Sequence, residues 1–556
     1  MSFDWRRRLV FCGIAFAAAS PLLFGVTIGD SHKAARAAGV TLLVSLLWVF
    51  DAMPLPIAAI IPLWLLPLVG VGNANSVAKA YFNDTQMLFL ASFLVAKAMQ
   101  NCRLHTRVAI RTLLMCRTPR RVLGAICGIS FVTSMWMQNT AVAALMVPLL
   151  CSMLNQLEGA PAPAAAAAAD EPADAVELEP VGVPLEESES PATAAVPDEG
   201  GVSADMRVRY AEACLLGVAY SCSIGGTTTP VGTGPNLVFF AVFGQMFPSA
   251  PTVSFGSWML FAVPLGLMLV LTLWAGLAFV FLRRLRHMTL PRGSLEAQYA
   301  ELGPVNLNEK MLSVLFVVQL VLWLTRGAND TKSGGWGGWG AWFATDGVSP
   351  VRDGTVAVFV AFAVFMLPDL VNRVAGQRFR VQPLLSVDDL RSLPWDIILL
   401  LGGGFALADA VQTSGMMTTF AAYLGATLAK MPPFAVLLTL VSLVTFLTEW
   451  TSNVSTASIF VPLVGALCIG QSPLFLMVPA TICCSFSFAL PSATPPNSLV
   501  FSSGKLRMRT MIGVGICLNV CAIVLTTLWV YTAGPLLLGF EINGVPAWSN
   551  CTSTQP

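Results

Sequence analysis

Four short polar clusters interrupt otherwise apolar sequence, and their residue types suit the binding of small ions. Two are Gln138-Asn139-Thr140 and Ser452-Asn453-Val454. The others are rich in helix breakers: Gly225-Gly226-Thr227-Thr228-Thr229-Pro230-Val231-Gly232-Thr233-Gly234-Pro235-Asn236 and Ser492-Ala493-Thr494-Pro495-Pro496-Asn497. Gly and Pro break helices and free backbone carbonyls. Hard cations take several oxygen ligands, and sodium finds them in Asn, Ser, Thr and carbonyl oxygens by the same logic as calcium. A helix that starts at a break offers unpaired N–H groups and a positive dipole end, which suits an anion. No Lys or Arg lies in the four clusters. A di- or trianion held there needs bound cations and dipoles to balance its charge. Any single Asn or Thr in such a place can equally serve helix–helix hydrogen bonding; the four together argue for a site. Glu449 is the lone carboxylate beside a cluster. An acid inside a membrane is functional by default, and a structural hydrogen-bonding role stands beside that reading.

The clusters recur in register. Asn139 precedes Pro148 by nine residues and Asn453 precedes Pro462 by nine. Thr233-Gly234-Pro235-Asn236 matches Thr494-Pro495-Pro496-Asn497, and Phe93 to Ala98 matches Phe405 to Ala410 more weakly. The first spacings are 139 − 93 = 46 and 453 − 405 = 48. The second are 236 − 139 = 97 and 497 − 453 = 44; removing the 51 residues of 156–206 from the former leaves 46. Three anchors in register across two halves indicate an internal repeat.

The elements that must position these clusters are membrane helices. The chain has 556 residues, 56% hydrophobic and 11% charged, against about 25% charged in soluble domains. Apolar runs of spanning length recur at roughly 9–27, 38–53, 55–70, 86–101, 208–246, 257–282, 311–325, 354–368, 395–412, 473–502 and 510–535. Two more, 122–153 and 435–468, are interrupted near their middles, with halves of about 13 residues. Such halves are too short to span, so both are expected to be re-entrant hairpins surrounded by protein or a water-filled cavity. Basic residues at 6–8, 103–121, 283–286, 373–391 and 505–509 then fall on one side, which is cytoplasmic by the positive-inside rule. The first run is read as a retained span rather than a signal peptide. The loop 326–353 and the C-terminal tail fall outside, each with a glycosylation sequon, Asn329-Asp330-Thr331 and Asn550-Cys551-Thr552. The matched anchors lie on spans of opposite direction, which makes the repeat an inverted one, an architecture of many secondary transporters.

The expected fold is therefore an all-α polytopic membrane protein with about 11 transmembrane helices and two re-entrant hairpins. Residues 1–155 form the first part of repeat one, with the hairpin at about 122–153. Residues 156–206, rich in Ala, Pro, Glu and Asp and without Lys or Arg, are expected to be a disordered cytoplasmic linker. Repeat one ends in 207–310, with a broken helix at about 208–246. Repeat two is 311–535, with a hairpin at about 435–468 and a broken helix at about 473–502; 536–556 is the tail. The 13 cysteines form no CxxC pair and there are 3 histidines, so neither a metal cluster nor a disulfide framework is expected. No nucleophile–base pair appears among the buried polar groups, which disfavours an enzyme. Neither an organic cofactor nor a nucleic-acid partner is expected.

These motifs resemble the divalent anion–sodium symporter family, the sodium-coupled dicarboxylate, citrate and sulfate carriers. The resemblance covers most of the chain outside 156–206. It rests on Leu104-His105-Thr106-Arg107, Ser223-Ile224-Gly225-Gly226-Thr227, Leu302-Gly303-Pro304, Leu401-Gly402-Gly403-Gly404-Phe405-Ala406-Leu407, Thr448-Glu449, Thr451-Ser452-Asn453-Val454 and Ala493-Thr494-Pro495-Pro496-Asn497. It implies a homodimer in the plasma membrane, each protomer with a scaffold and a mobile transport domain working as an elevator. The N-terminus would be cytoplasmic and the C-terminus extracellular. It implies a first sodium site at Ser134, Asn139 and carbonyls near Gly226, and a second at Thr448, Thr451, Asn453 and Ala493. Substrate carboxylates would meet Gln138, Asn139, Thr140, Ser452, Asn453, Val454, Thr494 and Pro495. The family's first tip reads Ser-Asn-Thr, and here Gln138 replaces the Ser. Sodium-coupled uptake of a di- or tricarboxylate is the leading expectation. Sulfate uptake and anion exchange stay open within the family, and a passive anion channel outside it.

Overall fold

The computed structural model describes residues 5–24, 32–50, 52–157, 204–251, 253–283, 293–327, 338–345, 349–369, 382–415, 430–467 and 469–549. They are almost entirely helical. Helices α1 Trp5–Phe24 and α2 His32–Val49 pack on each other, followed by the short α3 Leu55–Ala58, α4 Ile61–Leu68 and α5 Ala74–Tyr81. Helix α6 is Asp84–Asn101 and α7 is Leu104–Met115. The first helix pair is α8 Pro119–Ser134 and α9 Asn139–Leu157. It is followed by α10 Ala204–Gly226, α11 Gly234–Met246 and the long α12 Phe255–Phe281. Then come α13 Gly293–Glu301, α14 Leu307–Thr325, α15 Asp353–Met366 and α16 Val387–Arg391. The second half continues with α17 Trp395–Thr413, the pair α18 Pro433–Leu447 and α19 Asn453–Gly465, then α20 Pro473–Cys483, α21 Pro495–Ser502 and α22 Met508–Leu538. A 3-10 turn at Trp339–Phe343 and a two-residue strand pair, Pro368–Asp369 with Gln382–Pro383, complete the described elements.

Local sequence explains where these helices start. Asn83 accepts from Gln86 N at 3.0 Å at the head of α6, and Asn306 with Glu309 forms a capping box at the head of α14. Pro lies in the first turn of α8, α11, α18, α20 and α21, where its missing N–H costs no helical bond.

Five described helices are long and apolar enough to cross a membrane by themselves: Asn139–Gln156, Phe255–Phe281, Leu307–Thr325, Trp395–Thr413 and Met508–Leu538. Two expectations change. The hairpin arms are not uniformly about 13 residues; they are 16, 19, 15 and 13. Pro148 lies inside α9 without ending it, and the helix runs on through the polar Asn155 and Gln156. The run 55–70 is not one continuous helix but two, broken at Ala59 and Ile60. The hydroxyl of Tyr81 donates to Ala59 O at 2.5 Å, which satisfies a carbonyl that the break exposes. The glycine run of α17 packs there: a Cβ on Gly402 would strike the Tyr81 ring, one on Gly403 would meet Ala59, and one on Gly404 would meet Ser458. Three consecutive glycines let three neighbours approach the helix backbone, the small-residue packing of membrane helices.

The two halves repeat their packing. Helix α10 packs on α8, α9 and α12; α20 packs on α18, α19 and α22. The halves also cross over: α11 packs on α19, and α9 on α21. Helix α20 is buried along its whole length, as is α10 from Tyr210 onward, so the broken helices form the centre of the molecule.

Ion pairs with at least one buried partner fasten the helices. Arg107, 6% exposed, pairs with Glu309 at 3.1 Å and donates to Gly303 O and Leu302 O at 2.7 and 2.8 Å. The Leu-His-Thr-Arg and Leu-Gly-Pro motifs, nearly 200 residues apart in the chain, are thus two sides of one clamp. Arg326 holds Asp353 at 2.6 Å, and Arg507 holds the fully buried Glu212 at 2.7 Å.

Nearly all of 156–206 lies outside the described residues, as do Asn329 and Asn550 of the sequons. Gly226, at the end of α10, sits against Asn139, at the start of α9. The two packed helices are therefore antiparallel, and Leu157 and Ala204 lie at the same end. Loop closure costs only about 0.6 kcal/mol per doubling of loop length. Replacing 158–203 by about ten residues is expected to leave uptake rate and substrate affinity within twofold of wild type. A loss of affinity in correctly inserted protein would give the segment a role beyond connection.

Candidate functional site

The breaks between paired helices bring the four polar clusters to one place. The residues joining α8 to α9 are 135–138, and those joining α18 to α19 are 448–452. Side chains answer one carbonyl of the first join, Met135, and two in the broken helices, Thr227 and Cys484. Thr229 Oγ1 donates to Met135 O at 2.5 Å, Trp258 Nε1 to Thr227 O at 3.2 Å, and Thr448 Oγ1 to Cys484 O at 2.7 Å.

The same hydrogen bonds are made twice. Asn236 Nδ2 donates to Gly226 O at 3.2 Å and Thr229 O at 2.7 Å, ten and seven residues back (236 − 226 = 10, 236 − 229 = 7). Asn497 Nδ2 donates to Ser487 O at 2.9 Å and Leu490 O at 3.0 Å, again ten and seven residues back (497 − 487 = 10, 497 − 490 = 7). Both asparagines are fully buried, and each Oδ1 has no partner among the described residues. Each fixes the loop of a broken helix. At the tips, Ser134 Oγ donates to Asn139 Oδ1 at 2.5 Å, and Thr448 Oγ1 lies 3.1 Å from Asn453 Oδ1, its one proton shared between that oxygen and the nearer Cys484 O; both pairs are five residues apart.

Around Asn139 the backbone comes very close. A Cβ on Gly226 would stand 2.6 Å from Asn139 Oδ1, so only glycine admits this amide. The equivalent position in the second half is Ser487, whose Oγ donates to Asn453 Oδ1 at 3.1 Å. Sequence reasoning missed Ser487; counting ten back from Asn497, as Gly226 lies ten back from Asn236, finds it. It also missed the carbonyl of Cys484. Of the other residues assigned to the second site, Thr448 touches Asn453 directly. The Thr451 hydroxyl bonds to Leu447 O and to Thr456 Oγ1. Ala493 lines the cavity beyond.

That cavity is about 730 Å³. Gln138, Asn139, Thr140, Ser452, Asn453, Val454, Thr494 and Pro495 all line it, with Val231–Gly234 from the first broken helix and Trp48, Phe89 and Leu400 from other helices. Helices α9, α11, α19 and α21 begin at Asn139, Gly234, Asn453 and Pro495, so four helix N-termini open on one space. The halves interlock here, for a Cβ on Gly234 would strike Val454. The charged lining residues are both acidic, Asp396 and Glu449. Glu449 accepts from Ala489 N at 2.9 Å, Leu490 N at 3.2 Å and Asn519 Nδ2 at 2.6 Å. Its carboxylate ties the second tip to the second broken helix and to α22, which is the structural role open to it from sequence.

The arrangement offers oxygen clusters at two tips and positive dipole ends around a shared space, with no Lys, Arg or His among the described lining residues. Comparison with known proteins agrees with that chemistry. The family model for the sodium:sulfate symporter transmembrane region matches residues 9–539. The Na(+)/citrate cotransporter of Rattus norvegicus is 33% identical over 568 residues, covering 96% of this chain and 96% of that protein. The Na(+)/dicarboxylate cotransporter 3 of Mus musculus is 30% identical over 579 residues, covering 98% of this chain and 94% of that protein. Among solved structures, the Alcanivorax borkumensis YdaH transporter is similar in fold, with a TM-score of 0.52 at 12% identity, covering 89% of this chain and 99% of that one. The family match and the relatives run along nearly the whole chain, and on that ground it belongs to the divalent anion–sodium symporter family, integral membrane transporters rather than enzymes.

Proposed function

We propose that this protein couples sodium entry to the uptake of a small di- or tricarboxylate of the succinate and citrate class. The observation that carries the proposal is the cavity where four helix N-termini converge with no cationic side chain among the described lining residues. A multivalent anion in that space faces dipole ends, each equivalent to roughly half a positive charge, and two acidic residues. Bound cations supply the missing charge, which makes substrate binding depend on sodium.

One sodium ion is assigned to Ser134, Asn139 and the carbonyl of Gly226. The second is assigned to Thr448, Thr451, Asn453 and Ala493, with Ser487 added. The substrate carboxylates are assigned to Gln138, Asn139, Thr140, Ser452, Asn453, Val454, Thr494 and Pro495. The relatives' names, a citrate and a dicarboxylate carrier, support carboxylate over sulfate. The mirrored packing and hydrogen bonds support an inverted repeat with two re-entrant hairpins among about 11 spans. The site-bearing helices pack on one another, which suits a transport domain that moves as a unit past a scaffold, an elevator. The working unit is proposed to be a homodimer in the plasma membrane, with the N-terminus cytoplasmic and the C-terminus extracellular.

The test is uptake of labelled succinate, citrate and sulfate into proteoliposomes. Accumulation of a carboxylate above its external concentration, driven by an inward sodium gradient, is the expected result. Flux that only equilibrates, or that ignores sodium, overturns symport in favour of a channel or exchanger. A smaller effect tests the added ligand. Ser487→Ala removes the hydroxyl that donates to Asn453 Oδ1 beside the shared proton of Thr448, a bond worth about 1 kcal/mol. The sodium concentration for half-maximal uptake should rise about fivefold; an unchanged value removes Ser487 from the site.

A further inference from the structure

A second cavity lies away from the transport site, where the start of α10, the end of α12 and the start of α22 meet. It measures about 500 Å³. Its walls are apolar faces of α12 and α22, with Leu273, Leu277, Val280, Val514 and Leu518 among them. Its one basic end is formed by Arg209, Arg507 and Arg509. Two glycines open it: Gly276 and Gly513 both line the groove, and a Cβ at either would meet nothing within 4 Å. Arg507 is matched by the buried Glu212, and Arg209 by Asp205 in an exposed pair. No ion pair of Arg509 occurs among the described residues. Long apolar helices, a groove along them and a surplus guanidinium at the end of the groove form an amphipathic receptor of the kind a membrane lipid fits.

We propose that this groove holds an anionic glycerophospholipid, its phosphate at Arg509 with Arg209 beside it and one acyl chain along Gly276 and Gly513. Charge complementarity selects an anionic headgroup over a zwitterionic one. The apolar length of the groove selects a lipid over free phosphate. Because α22 also carries Asn519, which donates to Glu449 at the second tip, the occupant sits on a helix that reaches the transport site.

The test uses the full-length protein in detergent, with phosphatidylglycerol or phosphatidylcholine added and bound lipid counted by native mass spectrometry. Phosphatidylglycerol should be retained about fivefold better, the weight of one guanidinium at an anionic membrane surface. Arg509→Gln should erase that preference. Gly513→Leu, which fills empty space, should remove the bound lipid of either kind while sodium-driven uptake persists. Equal retention of the two lipids by wild type overturns the proposal. So does retention that Gly513→Leu leaves intact, or loss of phosphatidylglycerol to competing inorganic phosphate. A change of oligomeric state in Gly513→Leu without a change in lipid would assign the groove to a second copy of the chain and overturn it likewise. Transport measurements on the unmodified protein stand or fall separately, so a failure here leaves the symport proposal where it was.

Discussion

Asn139→Ala and Asn453→Ala are each expected to abolish sodium-driven uptake in protein that still inserts and folds. Each amide is the first residue of a helix that opens on the central cavity, and each holds its Oδ1 against hydroxyl donors, Ser134 for one and Thr448 with Ser487 for the other. An amide offers oxygen to a cation and nitrogen to an anion at once. On the proposed assignment, truncation removes a ligand from sodium and a donor from the substrate together. Hydrogen bonds to charged groups are worth about 1.5–3 kcal/mol each, so losing both should weaken coupled binding by about a hundredfold to ten-thousandfold. The fold should survive, because among the described residues Asn139 bonds only within its own helix pair, to Ser134 of α8, and Asn453 reaches beyond its pair only through Ser487. The residues that pin the broken helices are Asn236 and Asn497, which remain. Uptake in proteoliposomes, with monodispersity on a sizing column as the control, decides the matter. Normal sodium-driven uptake by either variant would sink the site assignment.

These two asparagines stood out in the sequence because runs of polar residues inside apolar segments have few other reasons to be there. Register made the pattern stronger: the anchors matched in type and in spacing, and the structure makes the same hydrogen bonds at the matched positions. Ser487 was not legible in the same way. It sits in Cys484-Ser485-Phe486-Ser487-Phe488, a stretch without Gly or Pro to mark where the helix stops, and α20 nonetheless ends at Cys483. The break is maintained from outside, by Thr448 on Cys484 O, Asn497 on Ser487 O and Glu449 on the N–H groups of Ala489 and Leu490. Local propensity carries no trace of partners that lie 36 or 40 residues away. The break at Ala59 is hidden for the same reason, since the hydroxyl that stabilises it belongs to Tyr81. Arg107 was read as a mark of the cytoplasmic side and as part of a family motif, with no sign of its partner Glu309, 202 residues distant. Composition and period locate membrane helices; they cannot say which buried charge answers which.

Gln138→Ser is expected to shift the preference among succinate, citrate and sulfate by about tenfold or more. The repeat sets Gln138 opposite Ser452, so the two tips differ in chemistry where they are most alike in geometry. Gln138 lines the cavity and is half-buried. Its backbone oxygen accepts from Val142 N at 3.1 Å as the first bond of α9, which any residue can make. The side chain is what distinguishes this tip: an amide with donors and an acceptor, longer than a serine by enough to take up part of the space. A donor aimed at a carboxylate is worth about 1.5–3 kcal/mol, and the same length that delivers it excludes bulk. Shortening the side chain should therefore weaken the small dicarboxylate that reaches the amide and relieve the tricarboxylate that competes with it for room. The readout is the ratio of apparent affinities for the three anions at saturating sodium, together with the sodium concentration for half-maximal uptake. A change in the anion ratio with sodium dependence unaltered identifies Gln138 as a selectivity residue. A change in sodium dependence alone moves it to the first cation site. If the variant matches wild type in every anion and in sodium, only the backbone at 138 matters, and the substrate is held by Asn139 and Thr140 without their neighbour.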